Sequence, residues 1–218
     1  MLFGFSSGLE YRFNRNGSCA ITSVGACTDK HIVIPEFIEG KTVTEVDEKA
    51  FARCETILSI TLPHTVSKIG KGAFSWCRKL EFIKAMGVAE IGDKAFMGCD
   101  SLTDLYLGSK LKRIGKKAFA FCIELQSAIL PASVTELGIS AFEGCRALTQ
   151  VSLPDNLLIL ESGVFYACTE LQKITLPQRL RYINEFAFAY CISLTDINIP
   201  RTAVLNKDAF FECTPKTA

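Results

Sequence analysis

The sequence predicts an elongated, mostly-β solenoid, and three observations carry that prediction. Phe-x-x-Cys recurs eight times, from Phe51/Cys54 to Phe210/Cys213, at steps of 22 or 23 residues. A period in this range marks a repeat architecture in which each copy is one coil. Each copy also carries a Leu-x-x-Ile-x-Leu stretch whose tail alternates with the period of a short strand buried on one face. A Pro often follows, as in Leu153-Pro154, and ends the strand because it has no amide to donate. Because repeats pack mainly on their neighbours, the 218 residues read as one extended unit.

The N-terminal segment differs from the repeat. Leu9–Phe13 and Ala20–Val24 flank Asn14-Arg15-Asn16-Gly17, and Asn-Gly between strand-like runs signals a hairpin. The sequon Asn16-Gly17-Ser18 therefore reads as a turn first and a glycosylation acceptor second. A strand follows at His31–Pro35, and Lys41–Val46 leads into the first full copy. Residues 1–42 are expected to be a β-rich cap over the first coil, and residues 43–218 an array of about eight repeats, the last incomplete.

Within the array, Gly70, Gly92, Gly115 and Gly138 mark a backbone corner before each Ala-Phe-x-x-Cys. That segment is too short for a free-standing helix and is expected to form one helical or 3₁₀ turn on the wall opposite the strands. Stacking turns each repeat position into a column, with Phe, Cys, Leu and Ile inside. Eight of the ten cysteines share one position. Strands stack about 4.8 Å apart with parallel Cβ vectors, whereas a disulfide needs Cβ atoms about 3.8 Å apart and facing. The column reads as free thiols acting as small apolar groups. Cys19 and Cys27 lie outside it, and a bond between them is the alternative to two free thiols.

The remaining counts exclude several functions. A net charge of +1 with 22% charged residues gives no basic surface for nucleic acid or anionic membrane. No apolar run approaches the roughly 20 residues of a membrane helix, so membrane insertion is not expected. The opening Met1–Ser7 lacks the basic and apolar regions of a signal peptide, which implies an intracellular protein or one whose leader is absent. Only His31 and His64 are available as imidazole bases, and no Cys-x-x-Cys, His-x-x-x-His or phosphate-binding glycine loop occurs. No catalytic residue, metal or cofactor is expected.

The repeat Ile-Gly-x-x-Ala-Phe-x-x-Cys-x-x-Leu-x-x-Ile-x-Leu-Pro resembles the BspA-like leucine-rich repeats, across residues 43–213. Cys27–Pro35 is similar to the segment that precedes such arrays. The resemblance implies an α/β-horseshoe-like, mostly-β leucine-rich repeat solenoid with a parallel sheet on its concave face. It also implies secretion or surface attachment and a role in adhesion or host-protein binding.

Strand positions between buried ones face outward. They read Ser59/Thr61, Phe82/Lys84, Asp104/Tyr106, Ser127/Ile129, Gln150/Ser152, Lys173/Thr175 and Asp196/Asn198. Phe82, Tyr106 and Ile129 interrupt this polar surface on consecutive coils. They predict a protein- or glycan-binding patch with Lys84 and Asp104 setting orientation and Ser127 and Gln150 at its edge. The alternative is scattered surface apolar residues. A second column, Arg53, Trp76, Gly98, Phe121, Gly144, Ala167, Tyr190 and Glu212, carries aromatics that either project from the outer wall or pack under neighbouring corners. Two functions follow: a non-catalytic recognition module, or a scaffold segment associating through an uncapped C-terminal end at Phe210-Phe211.

Overall fold

A computed structural model describes residues 4–213 and the backbone of 216–217. Residues 1–3, where the segment read for a leader begins, and Thr214-Pro215 at the chain's end lie outside the described residues. The chain winds as stacked coils, each named below by its phenylalanine. Each coil contributes a flank strand (Lys41–Val46 in the first, two residues in the rest), a corner, a back wall of turns, and a concave-face strand of two to four residues.

The interior columns form as expected. Phe51, Phe74, Phe96, Phe119, Phe142, Phe165 and Phe188 are buried, and Phe210 is partly buried against the same core. Their rings stack nearly parallel, with centroids 5.1 Å apart at Phe51–Phe74 and 5.2 Å at Phe96–Phe119. Such contacts add about 0.5–1.5 kcal/mol per pair beyond area burial. All ten cysteines are free thiols, Cys19 and Cys27 included. From Cys77 to Cys191 each column thiol donates to a phenylalanine carbonyl of the preceding coil, as Cys122 Sγ does to Phe96 O at 3.2 Å.

The back wall departs from the expected helical or 3₁₀ turn: it is a chain of tight turns, and no helix occurs among the described residues. A helix needs successive amides for bonds along its own axis. Here alternate amides are committed to the next coil, Phe74 N to Ala95 O at 2.8 Å and Trp76 N to Met97 O at 2.7 Å. The amides between them close local turns, as Ser75 N does on Gly72 O at 3.0 Å. The pattern places a left-handed residue two after each column phenylalanine and, from Phe51 to Phe188, two before it, such as Trp76 (φ 63°) and Lys94 (φ 57°).

The N-terminal hairpin forms as predicted. Strands Glu10–Phe13 and Cys19–Ser23 pair antiparallel around a turn in which Gly17 has φ 83°. Asn16 Oδ1 accepts bonds from the amide and hydroxyl of Ser18, which supports its turn role. The hairpin joins the array through parallel pairing of Cys19–Ser23 with Lys41–Val46, and His31–Val33 pairs parallel with Ser59–Thr61. Residues 19–46 thus already continue both walls of the solenoid.

Neither parallel wall is a single sheet. The concave strands form one group through Asp104–Leu107 and another from Ser127–Ile129 onward. The flank strands form one group through Glu136–Leu137 and another from Ile159–Leu160 onward. Both breaks fall where a corner column loses its glycine. A Cβ on Gly108 would lie 1.9 Å from Met86 O, and the same corner one coil later is Pro131. A Cβ on Gly138 would lie 2.6 Å from the Gly115 carbonyl carbon, and the next residue in that column is Glu161. Coils that touch through glycine approach closely, and each ladder is open at the step where the glycine gives way to a side chain.

Candidate functional site

The concave face is built by short strands whose inward residues, such as Ile60, Ile83 and Ala128, are buried in the core. Burial of these alternate positions fixes which residues face outward. The register aligns Ser59, Phe82 and Asp104 in one row and Thr61, Lys84 and Tyr106 in the next. Beyond the break, Ser127, Gln150, Lys173 and Asp196 form the first row, and Ile129, Ser152 and Thr175 the second.

Tyr106 and Ile129 are 52% and 68% exposed, while Phe82 is half-buried. The Phe82 and Tyr106 rings meet edge to face, with centroids 6.4 Å apart and planes at 89°. Tyr106 thus has an aromatic neighbour on its own face of the sheet while about half of its surface stays open. Lys84, Asp104 and Gln150 are exposed, and Ser127 is half-buried. Asp104 Oδ2 accepts a 2.7 Å bond from the Thr103 hydroxyl, which orients the carboxylate beside the aromatic pair. Ile129 stands across the break from Tyr106, so the patch spans two sheets where the sequence implied one.

One further residue belongs to this surface. His31 heads the first row, and its Nδ1 lies 2.9 Å from Ser59 Oγ, with Ser59 only 3% exposed. Ser59 is thus a buried neighbour of Phe82, whereas the alternation alone placed it in solvent. The period-two pattern of His31-Ile32-Val33 was the available signal for His31. Past Gln150 the face is polar, with clefts of about 350 Å³ at Gln150, Ser152 and Thr175 and about 250 Å³ at Lys173, Asp196 and Asn198.

The outer column aromatics pack. The Trp76 ring lies where a Cβ on Gly98 would come within 2.4 Å of it, and Phe121 covers Gly144 in the same way at 2.7 Å. The Arg78 guanidinium sits 5.7 Å from the Trp76 ring centroid. Tyr190 contacts Tyr166 and Phe211 edge to face at 5.3 and 5.6 Å. Among the described residues no three His, Cys, Asp or Glu side chains are grouped so as to hold a metal ion. No helix of the described residues is long and apolar enough to cross a membrane.

Coils of 22 or 23 residues, an aromatic and thiol interior, and a parallel sheet along one face define a leucine-rich repeat protein. The family model described as BspA type Leucine rich repeat region (6 copies) matches residues 25–88 and 89–216, and the chain belongs to this family. Among solved structures, the T. pallidum leucine-rich repeat protein TpLRR is similar at 32% identity and a TM-score of 0.81, over 87% of this chain and 89% of that one. A leucine-rich repeat protein from Bacteroides ovatus is similar at 31% identity and a TM-score of 0.83, over 94% of this chain and 55% of that one. Comparison with curated proteins found no match. Proteins of this family are generally interaction modules.

Proposed function

We propose that the chain is a non-catalytic recognition module that captures a protein on its concave face, displayed at a cell surface or secreted for adhesion. The observation that carries this reading is the exposure of Tyr106 and Ile129 at strand positions that are otherwise polar. A rigid solenoid orders little on binding, so an open aromatic ring in contact with Phe82 loses little entropy there. Lys84 and Asp104 then select orientation, with Ser127 and Gln150 at the polar rim. Residues 1–42 serve in this reading as the cap that closes the N-terminal coil. Tyr106→Ala combined with Phe82→Ala is expected to abolish capture of a protein ligand in a pull-down from host extracts while leaving the thermal melt nearly unchanged. Capture by the double variant at wild-type level would sink the proposal.

A second reading, association through the last described coil, rests on Leu205 and Phe211, which are 45% and 44% exposed. The residues equivalent to Leu205 in earlier coils, Leu160 and Ile183, are fully buried. Leu205→Glu would leave the molar mass in light scattering unchanged if the chain acts alone and lower it if ends associate.

A further inference from the structure

The aromatic patch of the concave face has an arrangement that exposure alone does not convey. Parallel register sets Phe82 beside Asp104 and Lys84 beside Tyr106, so these four residues occupy the corners of one square on two neighbouring strands. The rings of Phe82 and Tyr106 span one diagonal and meet edge to face, with centroids 6.4 Å apart. Lys84 and Asp104 hold the other diagonal, which the ring contact crosses. Strands about 4.8 Å apart, with same-face residues about 6.6 Å apart along each, put the Cβ atoms of a diagonal pair about 8 Å from one another.

Both charges are exposed, and among the described residues neither makes an ion pair. The flank strands behave differently. There opposite charges on adjacent strands do meet, and Arg113 reaches Glu90 at 2.8 Å and Glu136 at 3.4 Å. The side-chain bond that Asp104 accepts from Thr103 engages Oδ2 and leaves Oδ1 open. The square therefore presents an ammonium and a carboxylate on either side of an aromatic ridge, with the exposed Ile129 on the coil that follows Tyr106.

We propose that this square recognises an extended segment of a partner protein whose alternate side chains are an acid, an arginine and an apolar residue; the inference rests on the concave-face reading above. The acid pairs with Lys84. The guanidinium lies against the open part of the Tyr106 ring and forks to Asp104, a pairing that suits its planar shape. The apolar side chain reaches Ile129. In an extended segment alternate side chains share one face about 6.6 Å apart, close to the span of the charged diagonal. On a helix, opposite charges four residues apart lie about 5–6 Å from each other and pair internally. A polyanion would meet Asp104 and a polycation would meet Lys84, so a ligand carrying both signs fits the square best.

The test uses the full chain and synthetic peptides on a serine and threonine background. One carries Glu-x-Arg-x-Leu, one carries that order reversed, and one has Gln in place of both charges. Binding is followed by NMR titration at millimolar peptide, read at the Asp104, Tyr106 and Ile129 amides. One of the two charged orders is expected to bind at least fivefold more tightly than the Gln peptide. Asp104→Lys should weaken that binding at least tenfold and should instead accept a peptide with Glu in place of Arg. Lys84→Glu should in the same way accept a peptide with Lys in place of Glu. A merely structural disturbance would give no such rescue. The inference is overturned if the Gln peptide binds as well as both charged orders, if no peptide shifts these amides, or if neither swapped pair is rescued. Capture of a glycan on this face, insensitive to both charge reversals, would overturn it too. Host-protein capture that needs Phe82 and Tyr106 but ignores Asp104→Lys would sink this inference alone, whereas capture that survives loss of both rings would sink the reading beneath it.

Discussion

Most interior residues of this chain were legible as letters because each recurs at one position, and a column that must stack admits few side chains. The phenylalanine and cysteine columns are such cases. The thiols carry a consequence for alkaline stability. Burial pushes Cys77 and Cys145 up to about 12, and Cys99, Cys122 and Cys168 upward as well. In an unfolded chain these protons leave near pH 8.5. Between that pH and about 12 the unfolded state binds fewer protons than the folded one, so stability is full below the window and falls as pH rises through it. Each thiol contributes about 1.4 kcal/mol per pH unit there. The urea midpoint should be flat from pH 6 to 8 and drop steeply by pH 10; a midpoint unchanged at pH 10 would refute this. At neutral pH a thiol reagent should label Cys27 and Cys54, the two that are only half-buried, well before the others.

At the scale of the element, the sequence shows which positions are corners but not how closely coils approach there. Gly70, Gly92, Gly115 and Gly138 do not need positive φ; they are glycine because a Cβ would enter the backbone of the preceding coil. The change to Glu161 is visible in the letters, yet the opening of the ladder there depends on a contact distance that periodicity does not encode. The same limit applies to the concave face. Alternation placed Phe82, Tyr106 and Ile129 on one surface, but it did not show the break between Tyr106 and Ile129, which coincides with the close corner at Gly108. Gly138→Ala should therefore destabilise the fold by about 1–3 kcal/mol through overpacking. It should also raise amide exchange at Gly138 and its neighbour Thr135, where a merely entropic effect would stabilise. A higher urea midpoint for this variant would contradict the close-contact account.

For the molecule as a whole, the breaks in the two ladders lie at different coils, and the back wall and phenylalanine column bridge both. Phe96 N bonds Ala118 O at 2.7 Å across the concave break, and Phe142 N bonds Val164 O at 2.9 Å across the flank break. The array should unfold as one unit although repeats interact mainly with neighbours. The single tryptophan, Trp76, reports on the N-terminal half, so Phe165→Ala in the other half provides the test. A cost of about 3–5 kcal/mol is expected, with Trp76 fluorescence and far-ultraviolet circular dichroism shifting to the same lower urea midpoint. A Trp76 transition left at its wild-type midpoint would show two separate units.

Among the described residues, twelve that carry side chains, Lys94 and Lys117 included, hold left-handed backbone that an L-residue adopts at a cost of about 1–2 kcal/mol. No letter in the repeat announces this, since lysine, arginine, phenylalanine and tryptophan all fill such places. The fold consequently keeps untapped thermal headroom. Glycine at Lys94, whose side chain is exposed and whose amide bond to Lys116 would persist, should raise the melting temperature by a few degrees. Repeating the exchange around the array offers a direct route to a hardier version of the same shape.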